Sequence, residues 1–303
     1  MKTPSNNSKW FLKSAGAWLA LFVFSLAATA QNETPADGEQ NAFEKNGIEL
    51  VRGPALVKLG RYAEINVPEN HAFIGGKSIK KFYELTQNNY SGSELGVVLS
   101  GEGWTIHFNY ADSGHIDDND KEELDADALY KSMVDSQESG NKERKKRGWD
   151  ELRMRGWVSK PHYDDKTNNL TWAYKLASSA DNYAETFINQ NIRLLGRTGY
   201  VSAVVVGDVN EYAKTEAQAN ELLNGFHFVQ GQTYAEFRSG DKVAQYGLAA
   251  LVLGGAGAVA AKTGFLAKFA KYIVLGVAAV GAWFVKMFRK ITGSKAEGDR
   301  FGD

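Results

Sequence analysis

The residues best equipped for chemistry gather between Asp112 and Asp127. His115, Asp117, Asp118, Asp120, Glu122, Glu123, Asp125 and Asp127 place one imidazole among many carboxylates. Carboxylate oxygens with an imidazole nitrogen suit Ca²⁺, Mg²⁺ or Zn²⁺. His115, Asp117, Asp118 and Asp120 are therefore the candidate metal ligands, and a divalent cation is the candidate cofactor. The spacing departs from a calcium loop. Counted from Asp117, the third position is Asn119, the fifth is Lys121, and the sixth is Glu122 where the sharp turn needs glycine. The same acids also suit the start of a helix, whose free N–H groups and positive dipole end favour them.

A second group is Asn189, Asn191 and Arg193, which alternate along one predicted strand and so project to one face. Arg197 follows in the next turn. With His107 and Asn109 on the polar side of another strand, these residues are the candidate lining of an anionic-ligand groove. His162 and Asp164 can act as base and orienter only beside a nucleophile. No Gly-x-Ser-x-Gly elbow is present, Ser159 and Ser178 lack nucleophile context, and Asp164 suits a turn that bonds its own backbone. Cysteine is absent, which removes thiol nucleophiles, thiolate metal sites and disulfides. Gly254-Gly-Ala-Gly257 lacks the Lys-Ser/Thr of a phosphate loop. No catalytic residue is assigned.

These side chains need elements to hold them. The run 62–67 reads as a strand, and 78–87 as a short helix with Ile79, Phe82, Tyr83 and Leu85 inward. From Trp104 to Tyr110 the alternation is strict: Trp104, Ile106, Phe108 and Tyr110 on one face, Thr105, His107 and Asn109 on the other. The longest helix is predicted over 121–146, capped by Asp118 or Asp120. Leu124, Ala128, Leu129 and Met133 form its apolar stripe, Lys142 to Arg147 crowd its negative end, and Gly148 stops it. That basic run is also placed to touch anionic lipid headgroups. Strands are predicted at 152–159, 170–177, 185–195 and 200–206, with turns at 161–169, 178–182 and 196–199, then a helix at 210–223 and a strand at 226–229. Short connections favour antiparallel pairing. The expected class is α+β: a mainly antiparallel sheet with packed helices, plus a C-terminal transmembrane helix or helix pair.

The ends carry targeting signals. Lys2, Lys9 and Lys13 precede an apolar stretch from Ala15 to Ala28, and Ala28-Thr29-Ala30 offers a small-x-small cleavage site, so residues 1–30 read as a signal peptide. A polar lead-in spans 31–47, and the soluble domain spans 48–240 and is acidic. Residues 241–290 read as a membrane anchor, with a span at 265–285 or a hairpin turning at Lys262-Thr263-Gly264, followed by a polar tail, 291–303. Lys286, Arg289 and Lys290 favour a cytoplasmic tail, which puts the domain on the periplasmic side of a bacterial inner membrane. The Gly/Ala-rich stretch 247–261 permits close helix packing with another envelope protein or with itself. An acidic exported domain argues against a nucleic-acid partner.

Several segments then carry a family likeness: Arg52-Gly-Pro-Ala-Leu-Val-Lys-Leu-Gly60, Ser113 to Asp120 with Leu124-Asp-Ala-Asp-Ala-Leu129, Asn141-Lys-Glu-Arg144 with Arg147-Gly148, Gly156-Trp157 with Pro161-His-Tyr-Asp164, Asn189 to Tyr200 around Leu195-Gly-Arg197, and Gly240 to Val252. Across 48–290 the chain resembles a family of bacterial membrane-anchored proteins classed as domain of unknown function (DUF) 2167. The resemblance implies a membrane anchor and an envelope location, and it supplies no catalytic residue. The leading expectation is an envelope binding or scaffold module. The alternatives are a membrane-tethered metal-dependent hydrolase built on 112–127 and a subunit of a membrane transport assembly.

Overall fold

A computed structural model describes residues 43–253. The chain lays down β1 (Val51–Arg52), β2 (Ala55–Leu59), β3 (Ala63–Val67), β4 (His71–Ile74), α1 (Ser78–Leu85), β5 (Glu94–Ser100), β6 (Thr105–Ala111) and α2 (Ala126–Lys146). A meander follows: β7 (Leu152–Asp164), β8 (Asn169–Ser178), β9 (Thr186–Leu195) and β10 (Tyr200–Asp208). After it come α3 (Tyr212–Leu223), β11 (Phe226–Phe228) and a short α4 (Leu248–Val252). Eight strands form one sheet in the order β1-β4-β5-β6-β10-β9-β8-β7, and three form another, β11-β3-β2. All of these strand pairs are antiparallel. The class is α+β, as the short connections imply.

Period-two alternation splits the large sheet into two faces. On one, Ile106, Phe108, Ile192, Leu194, Val201, Ala203 and Val205 pack on the small sheet through Val57, Leu59, Ile65 and Val67, and on α3 through Ala219 and Leu222. Full burial of each larger side chain there stabilises by about 1.5–3 kcal/mol. The opposite face is covered at its two ends. Ile79, Phe82 and Tyr83 of α1 pack with Val97 and Leu99. Toward β8, Leu170, Trp172, Leu195 and Tyr200 meet Leu129 of α2 and Leu248, Leu251 and Val252 of α4. Polar groups occupy the face between these two clusters.

Several expectations need correction. The helix predicted from residue 121 is a 3-10 turn over Lys121–Glu123, a break, and then α2. Leu124 leaves helical geometry (ψ 84°), and Asp125, not Asp118 or Asp120, caps α2 by accepting from the N–H groups of Asp127 and Ala128. Ala128 is exposed and Leu85 is 39% exposed, so neither joins the inner stripe assigned to it. Strand β7 runs on to Asp164 through Pro161; it is the edge of the sheet and carries register shifts there, where proline costs no ladder bond. The strands β2, β4 and β5, unassigned from sequence, tie residues 51–100 into the same body. The lead-in is partly folded, since Phe43 rings against Phe82 at 5.3 Å.

The domain also reaches past residue 240. One compact unit ends at Leu253, and residues 242–253 are stitched to it. His115 N–H donates to the Lys242 carbonyl at 2.8 Å and Ala244 N–H to the His115 carbonyl at 2.8 Å. Among the described residues no helix is long and apolar enough to cross a membrane. The signal peptide, the span at 265–285 and the tail 291–303 lie outside the described residues.

Candidate functional site

The acidic stretch is spent on backbone geometry. Asp117 Oδ1 accepts from Asn119 N–H at 2.9 Å. Asp120 reaches across the chain and caps α4, accepting from Leu248 N–H at 3.1 Å and Ala249 N–H at 3.5 Å. Asp118 sits by two phenols. Burial first, and then this carboxylate, push Tyr163 up to about 12. His115 lies between two rings, stacked on Tyr234 at 4.3 Å and on Phe237 at 4.2 Å, and burial holds its imidazole below the ordinary value. Among the described residues no three His, Asp or Glu side chains are arranged to hold a metal ion. The candidate ligands His115, Asp117, Asp118 and Asp120 are therefore not brought together, because each carboxylate is turned toward N–H groups or phenols and the imidazole toward rings.

The other candidate group is brought together. Register places β10 between β6 and β9, so that Ser202 lies between Asn109 and Arg193, Val204 between His107 and Asn191, and Val206 between Thr105 and Asn189. Strand β8 extends the first two rows with Leu170 and Trp172 and the third with Tyr174. All of these point to the face between α1 and α2. The floor is polar at its centre, and Thr105, His107, Asn109, Asn189, Ser202 and Val204 are half-buried.

His107, Asn191 and Arg193 are held by neighbours. His107 Nδ1 is 3.2 Å from the Tyr83 hydroxyl of α1, and Nε2 is 3.1 Å from Thr105 Oγ1. Burial pulls the His107 pKa down to about 4, so the ring is neutral at neutral pH. Asn191 Nδ2 donates to Asn189 Oδ1 at 2.8 Å. Arg193 is only 9% exposed. Its Nη1 donates to Ser202 Oγ at 2.7 Å, its Nη2 reaches Asn191 Oδ1 at 3.5 Å, and its Nε has no acceptor among the described residues. The guanidinium carbon lies 4.6 Å from the Trp172 ring centroid and 5.9 Å from that of Tyr200. Burial lowers its pKa below the usual arginine value, and the groups that act in the other direction are the phenols of Tyr200 and Tyr174.

Arg197 does not belong to this floor. It sits beyond the end of β9 and grips Asp241 with two bonds, from Nε at 2.7 Å and Nη2 at 2.8 Å. That fork holds the Asp241 carboxyl down at about 2, with the Arg238 N–H adding to it. His162 and Asp164 are exposed on β7. Asp164 accepts from Lys166 N–H at 2.9 Å and from Thr167 Oγ1 at 3.0 Å, the self-bonding turn its position implies. In the basic run, Arg144 turns back to the carbonyls of Asp150 and Gln87, and Arg147 pairs with Glu143 at 3.1 Å.

Sequence reasoning missed Ser202, Trp172, Tyr174, Tyr200 and Tyr83. Ser202 carried a signal, since it is the polar residue in the alternation of 200–206. Its relation to Arg193 needed the register.

Fold and site together define an α+β module: an eight-stranded antiparallel sheet backed by a small sheet and a helix, with a polar floor open between two helices on its other face. The chain belongs to the family described as Protein of unknown function (DUF2167), whose model matches residues 51–283. No curated protein matches it. Among solved structures it is similar to cyanobacterial PsbP (CyanoP) from Synechocystis sp. PCC 6803, with 10% identity, TM-score 0.34, and 60% of this chain and 92% of that one covered. It is similar to a mutant of the protein Mog1 at 12% identity and TM-score 0.34, covering 58% and 96% of the two chains. It is also similar to the Saccharomyces cerevisiae Ran-binding protein Mog1p at 11% identity and TM-score 0.32, covering 63% and 98%. No function is transferred from these likenesses.

Proposed function

We propose that this protein is a binding module of the bacterial envelope, tethered to the inner membrane by its C-terminal apolar segment, with the folded domain on the periplasmic side. The observation that carries the binding reading is the polar floor. His107, Asn109, Asn189, Asn191 and Arg193, drawn from separate strands, share one half-buried surface between α1 and α2. Several polar groups on one partly exposed surface can fix a ligand's orientation as well as give it contact. The tether rests on the sequence: the signal-peptide pattern at 1–30, the apolar run at 265–285 and the basic residues after it.

The test is native mass spectrometry of the full-length protein released gently from its own membranes. A bound species should accompany the wild type and be lost from Asn109→Trp and Asn189→Trp, which fill the half-exposed floor. A bare wild-type protein, or a species that both variants retain, would remove the floor as the binding surface. Recovery of the protein by osmotic shock without detergent would remove the tether.

A further inference from the structure

Arg193 is the outlying feature of the floor. A guanidinium offers five N–H donors and cannot shed its charge at physiological pH. Buried charges are ordinarily paired, because leaving water costs more than lone neutral contacts return. Here the described residues supply Arg193 with two neutral oxygens, one of them at 3.5 Å, and no carboxylate. The π faces of Trp172 and Tyr200 attract the cation but give its Nε–H no acceptor.

The surroundings are arranged for an acceptor from outside. Arg193, Ser202 and Asn109 form one row across three adjacent strands, each strand about 4.8 Å from the next. Ser202 and Asn109 are half-exposed, so the row runs from the buried guanidinium toward solvent. Ser202 already contacts Nη1, and its hydroxyl hydrogen remains to be donated. Glu94 pairs across from Asn109 and extends the row onto β5. Its carboxylate is taken by the N–H groups of Ser91 and Gly92 and by the Ser91 hydroxyl, which offset its burial and hold its pKa down. Glu94 therefore stays ionised at one end of the row with its oxygens held at the Ser91–Gly92 turn, and the positive charge of Arg193 lies at the other end.

We propose that Arg193, Ser202 and Asn109 form a subsite for a single oxyanion group of the ligand, with the guanidinium set over the rings of Trp172 and Tyr200. This deepens the binding reading above and rests on it. The oxyanion chemistry is common to a small free anion and to a phospholipid headgroup, and the experiment separates the two.

Full-length protein is heated with rising inorganic phosphate or acetate, ionic strength held constant with chloride, and separately in nanodiscs of phosphatidylcholine with or without phosphatidylglycerol. A saturable rise in Tm of several degrees with phosphate or acetate identifies a free anion. A rise confined to phosphatidylglycerol identifies a headgroup. In either case Arg193→Met should abolish the response, and Ser202→Ala should weaken the apparent affinity several-fold. Without ligand, Arg193→Met should melt at the wild-type temperature or above it, since it deletes an uncompensated buried charge. A purely structural arginine would give a lower Tm. If Arg193→Met fails to fold, Arg193→Lys serves in its place. It keeps the charge and loses the planar fork, and it should bind at least tenfold more weakly. No response in the wild type to either source, or an undiminished response in the variants, overturns the subsite. If the native spectrum still carries a floor-dependent species without an acidic group, the binding module survives and the oxyanion subsite alone falls.

Discussion

At the residue scale, His107 is a neutral ring of β6 held against Tyr83 of α1, and its effect on stability has a definite sign. Its folded pKa is about 4 against an ordinary 6.5. Above pH 6.5 the ring is neutral whether the chain is folded or not, and pH does nothing through it. Between 6.5 and 4 only the unfolded chain takes up the proton, so stability is lost as pH falls. By pH 4.5 that loss amounts to roughly 2–3 kcal/mol. Urea titrations at pH 7 and pH 4.5 should show wild type losing about that much more than His107→Gln, a comparison in which the carboxylates common to both proteins cancel. Equal losses would mean that the ring titrates normally. The strict alternation of 104–110 already put His107 and Asn109 on a polar face, and that of 189–193 did the same for Asn189, Asn191 and Arg193. What could not be read was that β10 would bring the two faces together, because strand order follows from packing and not from local pattern. Arg197 was misassigned for a related reason: its carboxylate, Asp241, lies 44 residues away.

At the scale of elements, caps decide where helices begin and end. Helix α2 ends as its sequence announces. Gly148 takes φ +71°, Trp149 N–H returns to the Arg144 carbonyl at 2.9 Å and Gly148 N–H to that of Lys145 at 3.1 Å. Its start was hidden, since five aspartates between 117 and 127 all have cap chemistry and only the tertiary structure assigns them. Asp125→Ala should cost about 1 kcal/mol in chemical denaturation, whereas Asp117→Ala, whose carboxylate holds one exposed N–H, should cost less. Asp120 has a larger reach, because it joins the acidic loop to α4. A Cβ on Gly247 would collide with the Asp120 carboxylate, so the glycine makes room for the cap. Gly247→Ala and Asp120→Ala should therefore raise amide exchange at Leu248 and Ala249 to a similar degree, and the double variant should add little to either. Additive effects would show that the two positions act separately.

At the scale of the whole molecule, the placement of α4 changes what the domain is. Composition and hydropathy put a boundary at 240, because 241–253 runs directly into an apolar stretch and reads as its first part. Yet Leu248, Leu251 and Val252 are 0–4% exposed and pack with Trp172, Leu195 and Tyr200. Three such side chains stabilise by roughly 1.5–3 kcal/mol each, a sum comparable to the roughly 5–15 kcal/mol net stability of a domain. The same segment carries Asp241, gripped by Arg197, and Lys242, whose carbonyl receives His115. A fragment of residues 43–240 should accordingly lack a cooperative thermal transition and bind hydrophobic dyes, while 43–253 should melt in one step. In 43–253, Arg197→Ala should lower Tm and expose the chain near Lys242 to protease. Circular dichroism melts and limited proteolysis read both. A cooperative melt of 43–240 at the temperature of 43–253 would return α4 to the anchor. The expected outcome instead makes the last turn before Gly254 part of the core that holds Trp172 and Tyr200, the two rings beside Arg193.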